Sequence, residues 1–187
     1  LDRLFPNLRT IYSAGFIAFA FATALDVLAF TNAVSEEKRV LSIILTYVDG
    51  IACASYFVMA FCPYLFGIDK HNGYPVQFVR YVEWTVTCPT ILYWIGLIAR
   101  ADSKKVMDMA SADALISVGG VLASLLPGWL SHMFFLAASA IFVHVMYTMW
   151  TSISNALEEG YKPEPPLPKR ALKLLRAEIL LSWSMFP

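Results

Sequence analysis

Arg80-Tyr81-Val82-Glu83-Trp84-Thr85-Val86-Thr87-Cys88-Pro89 sets two opposite charges inside a run in which almost every other residue from 76 to 99 is apolar, aromatic or hydroxylic. Helical spacing puts Arg80 and Glu83 on one face, with Thr87 a turn further along the same stripe. A carboxylate at membrane depth is expensive; where it persists it is usually paired and usually functional. The stripe alone leaves two readings open. It is either a structural ion pair with a hydroxyl tying two helices, or a carboxylate held ready for a cationic ligand or a proton. Trp84, together with Trp183 if both face inward, would give flat walls to an extended apolar ligand.

The composition places that run in lipid. Of 187 residues, 58% are hydrophobic and only 15% charged, unlike the balance of a soluble domain. Several apolar runs are long enough to cross a bilayer, for which about 20 residues suffice. The expectation is an all-α polytopic membrane protein, a single domain over residues 1–187. Zero net charge, with basic residues gathered in connections, argues against a nucleic-acid partner. Cys53, Cys62 and Cys88 lie in or beside apolar segments at irregular spacing, so they read as buried free thiols rather than a disulfide set. His132 and His144 have no partner at ligand spacing, and no metal is expected. Residues 1–10 lack the pattern of a cleavable signal peptide.

In order along the chain, residues 1–9 read as an interfacial lead-in stopped by Pro6. The first helix is expected at 10–34, apolar except for Asp26. Ser35 is a candidate N-cap for a second helix over 36–62, with Asp49 near its middle. Asn72-Gly73 signals a short hairpin within the connection at 63–77. The third helix is expected at 76–99, the fourth at 104–126 after a polar turn, and the fifth at 129–157 after Leu126-Pro127-Gly128. A proline-rich connection over 158–168 leads to a sixth helix from Lys169. In the fourth helix Gly119-Gly120 permits close helix approach or room for a ligand. Ten of the fourteen Lys and Arg residues fall on one side of this arrangement, which places the N-terminus outside the cell. The expected location is an integral membrane protein of the plasma membrane.

Arg80-Tyr81-Val82-Glu83-Trp84, followed by Thr87-Cys88-Pro89, resembles the third helix of the microbial rhodopsins. Ser111-Ala112-Asp113 with Gly119-Gly120 is similar to the family's fourth helix. Ser182-Trp183-Ser184-Met185-Phe186-Pro187 is similar to the signature of its sixth. Tyr56 falls where the family has a tyrosine near its ligand. The resemblance implies a seven-helix bundle around all-trans retinal, of which the first five helices and the beginning of the sixth are present. Retinal would be held as a protonated Schiff base on a lysine of the seventh helix. Glu83 would be its counterion and proton acceptor, with Arg80 modulating it and Thr87 in the same proton-transfer group. Tyr81, Trp84, Thr87, Cys88, Asp113, Ile116, Gly120, Trp183, Phe186 and Pro187 would line the chromophore. Light would isomerise it and shift a proton toward Glu83. Asp49 and Tyr56 are candidates for a hydrated pathway. A homo-oligomer, dimer or trimer, is compatible with the family.

Three departures refine that expectation. Lys38, Lys70, Lys104, Lys105, Lys162, Lys169 and Lys173 all fall in connections or at helix ends, so the linking lysine is expected beyond this stretch. Trp94 occupies the position where pumps of the family carry a carboxylic proton donor, which disfavours outward pumping. Cys88 with Asp113 is similar to the pair in channelrhodopsins and enzyme-linked rhodopsins, where a hydrogen bond would couple the third and fourth helices. The favoured output is therefore sensory signalling, as the membrane module of a light-regulated phosphodiesterase or cyclase, with no catalytic residues in this chain. A light-gated ion channel is the alternative, followed by an outward proton pump.

Overall fold

The computed structural model describes residues 7–62, 66–68, 75–158 and 169–183. Among the described residues six helices follow one another: α1 (Leu8–Thr31), α2 (Glu36–Phe61), α3 (Phe78–Ile98), α4 (Ser103–Leu125), α5 (Trp129–Glu158) and α6 (Lys169–Trp183). Between α2 and α3, β1 (Phe66–Ile68) pairs antiparallel with β2 (Pro75–Gln77), Gly67 opposite Val76. The expected Asn72-Gly73 turn lies outside the described residues, as do Pro6, Lys70, Lys162 and the prolines between α5 and α6. The third helix starts two residues later than the sequence suggests, because residues 75–77 are spent on the strand.

α1, α2, α4 and α5 are each long and apolar enough to cross a membrane. At 1.5 Å per residue the 24 residues of α1 run about 36 Å, more than the hydrocarbon core of a bilayer. Only Tyr12 of α1 is buried, while Ile11, Ile17, Phe21, Leu25 and Leu28 are exposed. A continuous apolar face of that kind would be a liability in water and is neutral in lipid.

Polar backbone ends and hydroxyls are met locally, as an apolar medium requires. Ser35 Oγ accepts from Lys38 N at 3.3 Å, the expected cap of α2. Asp102 Oδ1 accepts from Lys104 N and Lys105 N at 3.0 and 3.1 Å, capping α4. α3 ends with Ala101 N donating to Gly96 O and Arg100 N to Leu97 O, so Arg100 takes the left-handed conformation (φ 47) that such an ending demands. Its guanidinium lies 3.8 Å from Glu37, tying the start of α2 to this turn. Inside α3, Thr85, Thr87 and Thr90 each return a hydroxyl to the carbonyl four residues back. Gly128 turns the chain from α4 to α5 at φ +65.

Helix packing rests on two clusters. Leu92, Ile95, Val106, Met109, Val145, Met149, Ile153 and Ile179 join α3, α4, α5 and α6. Tyr12, Met59 and Ala60 join α1 to α2, with Val79 of α3 against them. Close approach depends on small residues. A Cβ on Gly96 would overlap the Val106 side chain, and one on Gly119 would stand 3.0 Å from Ala138 Cβ. Gly50, by contrast, has open space around it. Gly96→Ala is therefore expected to cost about 1–3 kcal/mol by overpacking the α3–α4 contact, whereas Gly50→Ala should stabilise by roughly 0.5–1 kcal/mol through helix propensity. Thermal unfolding of both variants in detergent checks the contrast; equal melting temperatures would contradict the packing.

Candidate functional site

Glu83 sits on the buried face of α3, 7% exposed, and helps to line an open apolar cavity. The cavity has a volume of about 300 Å³ and is lined by Ile51 and Ser55 of α2 and by Phe78, Val79, Val82, Glu83 and Val86 of α3. Val79, Val82, Glu83 and Val86 follow the helical repeat, so the stripe that carries the carboxylate also builds its wall. Thr87, 2% exposed, donates its hydroxyl to Glu83 O at 2.9 Å and to Glu83 Oε1 at 3.3 Å. Glu83 Oε2 is buried without a hydrogen-bond partner. Such an oxygen is costly unless a donor or cation meets it.

Arg80 does not supply that charge directly. Among the described residues no ion pair joins it to Glu83. Its guanidinium carbon stands 4.7 Å from the centre of the Trp84 ring, and its Nε is buried without a partner. The expected ion pair is thus replaced by a cation–π contact, because Trp84 lies one turn along the same face.

The opposite wall of α3 meets α4. Tyr81 packs edge-on against Trp84 at 5.7 Å, and its hydroxyl is 3.4 Å from Ser124 Oγ. The same ring lies 3.2 Å from the position a Gly120 Cβ would take, so Gly120 makes room for Tyr81. Asp113 is buried at 6% exposure, with Oδ2 lacking a partner. The Cys88 thiol is free and half-buried. Among the described residues no hydrogen bond joins Cys88 to Asp113, so the expected link between α3 and α4 is not formed; a thiol is a weak donor for the purpose. Ile116 and Trp183 pack against the cluster shared by α3, α4 and α5. Phe186 and Pro187 lie outside the described residues.

Two expected pathway residues point elsewhere. Tyr56 packs against Tyr12 at 6.2 Å and Phe19 at 5.1 Å and abuts Gly15, so its ring belongs to the α1–α2 contact and not to the cavity. Asp49 comes within hydrogen-bonding range of Asp26 across the same pair of helices. Trp94 donates Nε1–H to Leu41 O of α2 at 3.1 Å, an indole committed to joining helices. Ser55 and Ile51 went unnoticed in the sequence, since nothing there marks which face of α2 meets α3.

A helical membrane bundle whose third helix buries a carboxylate at the edge of an apolar cavity defines the class: an integral membrane protein that holds an acid at membrane depth. The profile of the bacteriorhodopsin-like proteins matches residues 7–187, and the chain belongs to that family. It is 26% identical over 181 residues to sensory rhodopsin-2 of Haloarcula vallismortis, covering 97% of this chain and 74% of that protein. It is 28% identical over 155 residues to bacteriorhodopsin-II of Haloarcula marismortui, covering 81% and 59% respectively. Among solved structures, the transmembrane domain of the Salpingoeca rosetta rhodopsin phosphodiesterase is 51% identical and superposes with a TM-score of 0.93, over all of this chain and 71% of that one.

Thr87→Val keeps the side-chain shape and removes the hydroxyl donor from Glu83. It is expected to destabilise the fold by about 1–3 kcal/mol, the cost of leaving a buried polar partner unmet. Chemical unfolding measures it, and a loss below a few tenths of a kcal/mol would show that the Thr87–Glu83 contact is not made.

Proposed function

We propose that this chain is the membrane portion of a retinal-binding light sensor, with Glu83 as the counterion of the chromophore and signalling to a linked enzyme as its output. The observation that carries the reading is the buried, partnerless Oε2 of Glu83, a residue that lines an apolar cavity. Retinal, when bound, supplies a conjugated chain that absorbs light and a cationic linkage to a lysine. The residues present suit such a group. Glu83 offers the negative charge, Thr87 holds one of its oxygens, and the other is buried without a partner. Trp84 and Tyr81 pack edge-on, with Gly120 making room for the Tyr81 ring, while Ile116 and Trp183 pack against the core that α3, α4 and α5 share and Asp113 is buried on α4.

The linking lysine is proposed to come from outside these residues. Lys38, Lys104, Lys105 and Lys173 are exposed and stand near helix ends. Val82 and Val86 are exposed beside Glu83 at 67% and 38%, which suits a further helix seated against α2 and α3. The basic residues at the starts of α2, α4 and α6 support an N-terminus outside the cell, and the plasma membrane is the proposed location.

Proton handling separates the outputs. Glu83 can hold a proton, but Trp94 cannot return one, and its indole is already bound to Leu41. Asp49 faces Asp26 and not the cavity, which gives little support to a channel through α2. The 51% identity with the transmembrane domain of a rhodopsin phosphodiesterase supports control of a linked phosphodiesterase.

Glu83→Gln in the whole protein reconstituted with all-trans retinal should move the absorption maximum to longer wavelength, because removing the counterion's charge lowers the excitation energy. An unchanged spectrum would remove Glu83 from that role. Illumination of the wild type in a voltage-clamped cell should give no sustained photocurrent. A one-way current would make it a pump, and one that reverses with the ion gradient a channel.

A further inference from the structure

α5 exposes a histidine where lipid can do nothing for it. Its apolar span runs over Trp129–Asn155. At 1.5 Å per residue His144 lies about 23 Å beyond Trp129 and about 17 Å short of Asn155, close to the middle of a bilayer. The residue is exposed. Its carbonyl accepts from Thr148, but its imidazole meets no donor or acceptor among the described residues. The opposite face of α5 is the packed one, through Ala138, Val145, Met149 and Ile153. Ionisable side chains at membrane depth almost always face protein or a water-filled cavity and pair there. A lipid-facing imidazole at mid-depth therefore calls for cover.

Met133, Ala137, Ala140, His144 and Tyr147 are all exposed and recur at intervals of four and three residues, which aligns them on one seam. The two alanines let a second helix come close, and histidine is among the side chains that hydrogen-bond between membrane helices. We propose that this seam is an interface between two copies of the chain, packed α5 against α5 about a two-fold axis along the membrane normal. Two copies inserted the same way bring His144 to one depth twice over. A neutral imidazole has one donor and one acceptor nitrogen, so one ring donates to the other and the pair is complementary without a third group. The Tyr147 phenol, also donor and acceptor, stands one turn on. A different protein would have to supply a matching polar group at that depth, whereas a second copy supplies it by symmetry. The further helix proposed above belongs against α2 and α3, away from this face. The interface stands whether or not the chain binds retinal.

The whole protein, labelled in part with a donor and in part with an acceptor fluorophore, is reconstituted in liposomes at falling protein-to-lipid ratios. Energy transfer should follow the dissociation curve of a dimer. His144→Leu should raise the ratio at half-dissociation by about tenfold, the loss of one hydrogen bond between helices. His144→Asn keeps a donor and an acceptor at the same depth and should restore most of the association. Ala140→Cys, oxidised in the membrane, should give a cross-linked dimer. Neither the wild type, whose own cysteines are free, nor Leu115→Cys, at an exposed position midway along α4, should do so. A wild type that is monomeric at every ratio would overturn the proposal and leave the face to lipid or to another protein. A dimer that His144→Leu does not weaken, or that Ala140→Cys does not cross-link, would place the contact elsewhere and overturn it too. Should His144→Leu fail to fold, the cross-link decides alone.

Discussion

The arrangement of α2, α3 and α4 turns on one electrostatic constraint: a carboxylate is held in apolar surroundings with only half of its hydrogen bonding satisfied. Thr87 serves one oxygen of Glu83, and the other is buried with nothing to meet it. Lipid offers no water to make good the deficit. A fold that keeps such a group either stores a penalty or reserves the position for a positive charge. The first course would be easy to remove by substitution to glutamine. The second explains why Val79, Val82 and Val86 keep the same stripe apolar around a single acid.

Arg80 shows how the protein avoids cancelling that charge too early. A direct ion pair three residues apart on one helix is geometrically available, yet the guanidinium lies on Trp84 instead. The cation stays close enough to be felt by Glu83 without occupying its free oxygen. Trp84 consequently acts twice, once as a platform for Arg80 and once as the edge partner of Tyr81. That shared ring links the charged end of α3 to the α3–α4 wall, where Gly120 yields space to Tyr81.

Much of this was legible in the sequence because the medium makes the signals loud. Long apolar runs, Ser35, Asp102 with its polar turn, and Pro127-Gly128 marked five helices to within a few residues, and Glu83 announced itself as an acid where acids are expensive. Other features were not legible. The start of α3 was misjudged because Val76 and Gln77 suit a strand and a helix equally, and pairing with Phe66 and Gly67 decides between them. Tyr56 and Asp49 sit at suggestive positions, but the direction of a side chain depends on how α1 rotates against α2, which Gly15 settles by admitting the Tyr56 ring.

Helix association in a bilayer gains little from burying apolar surface, because the lipid chains are as apolar as the side chains they replace. What selects one packing is therefore shape at the small residues and the fate of the few polar atoms. The polar atoms are met unevenly along α3. Toward the end of α3 near Arg100, Trp94 and Arg176 find partners in Leu41 and Ser154, and the core is continuous through Leu92, Val145 and Ile153. Toward the start of α3, Arg80 and Glu83 each retain an atom without one. Asp26 of α1 and Asp113 of α4 each leave an oxygen unmet as well, so it is on α3 itself that the unmet atoms gather at one end. Along α3 the acid at Glu83 is followed by a hydroxyl at Thr87 and then by closed packing at Leu92 and Ile95, an order better suited to holding a charge than to passing it along the helix.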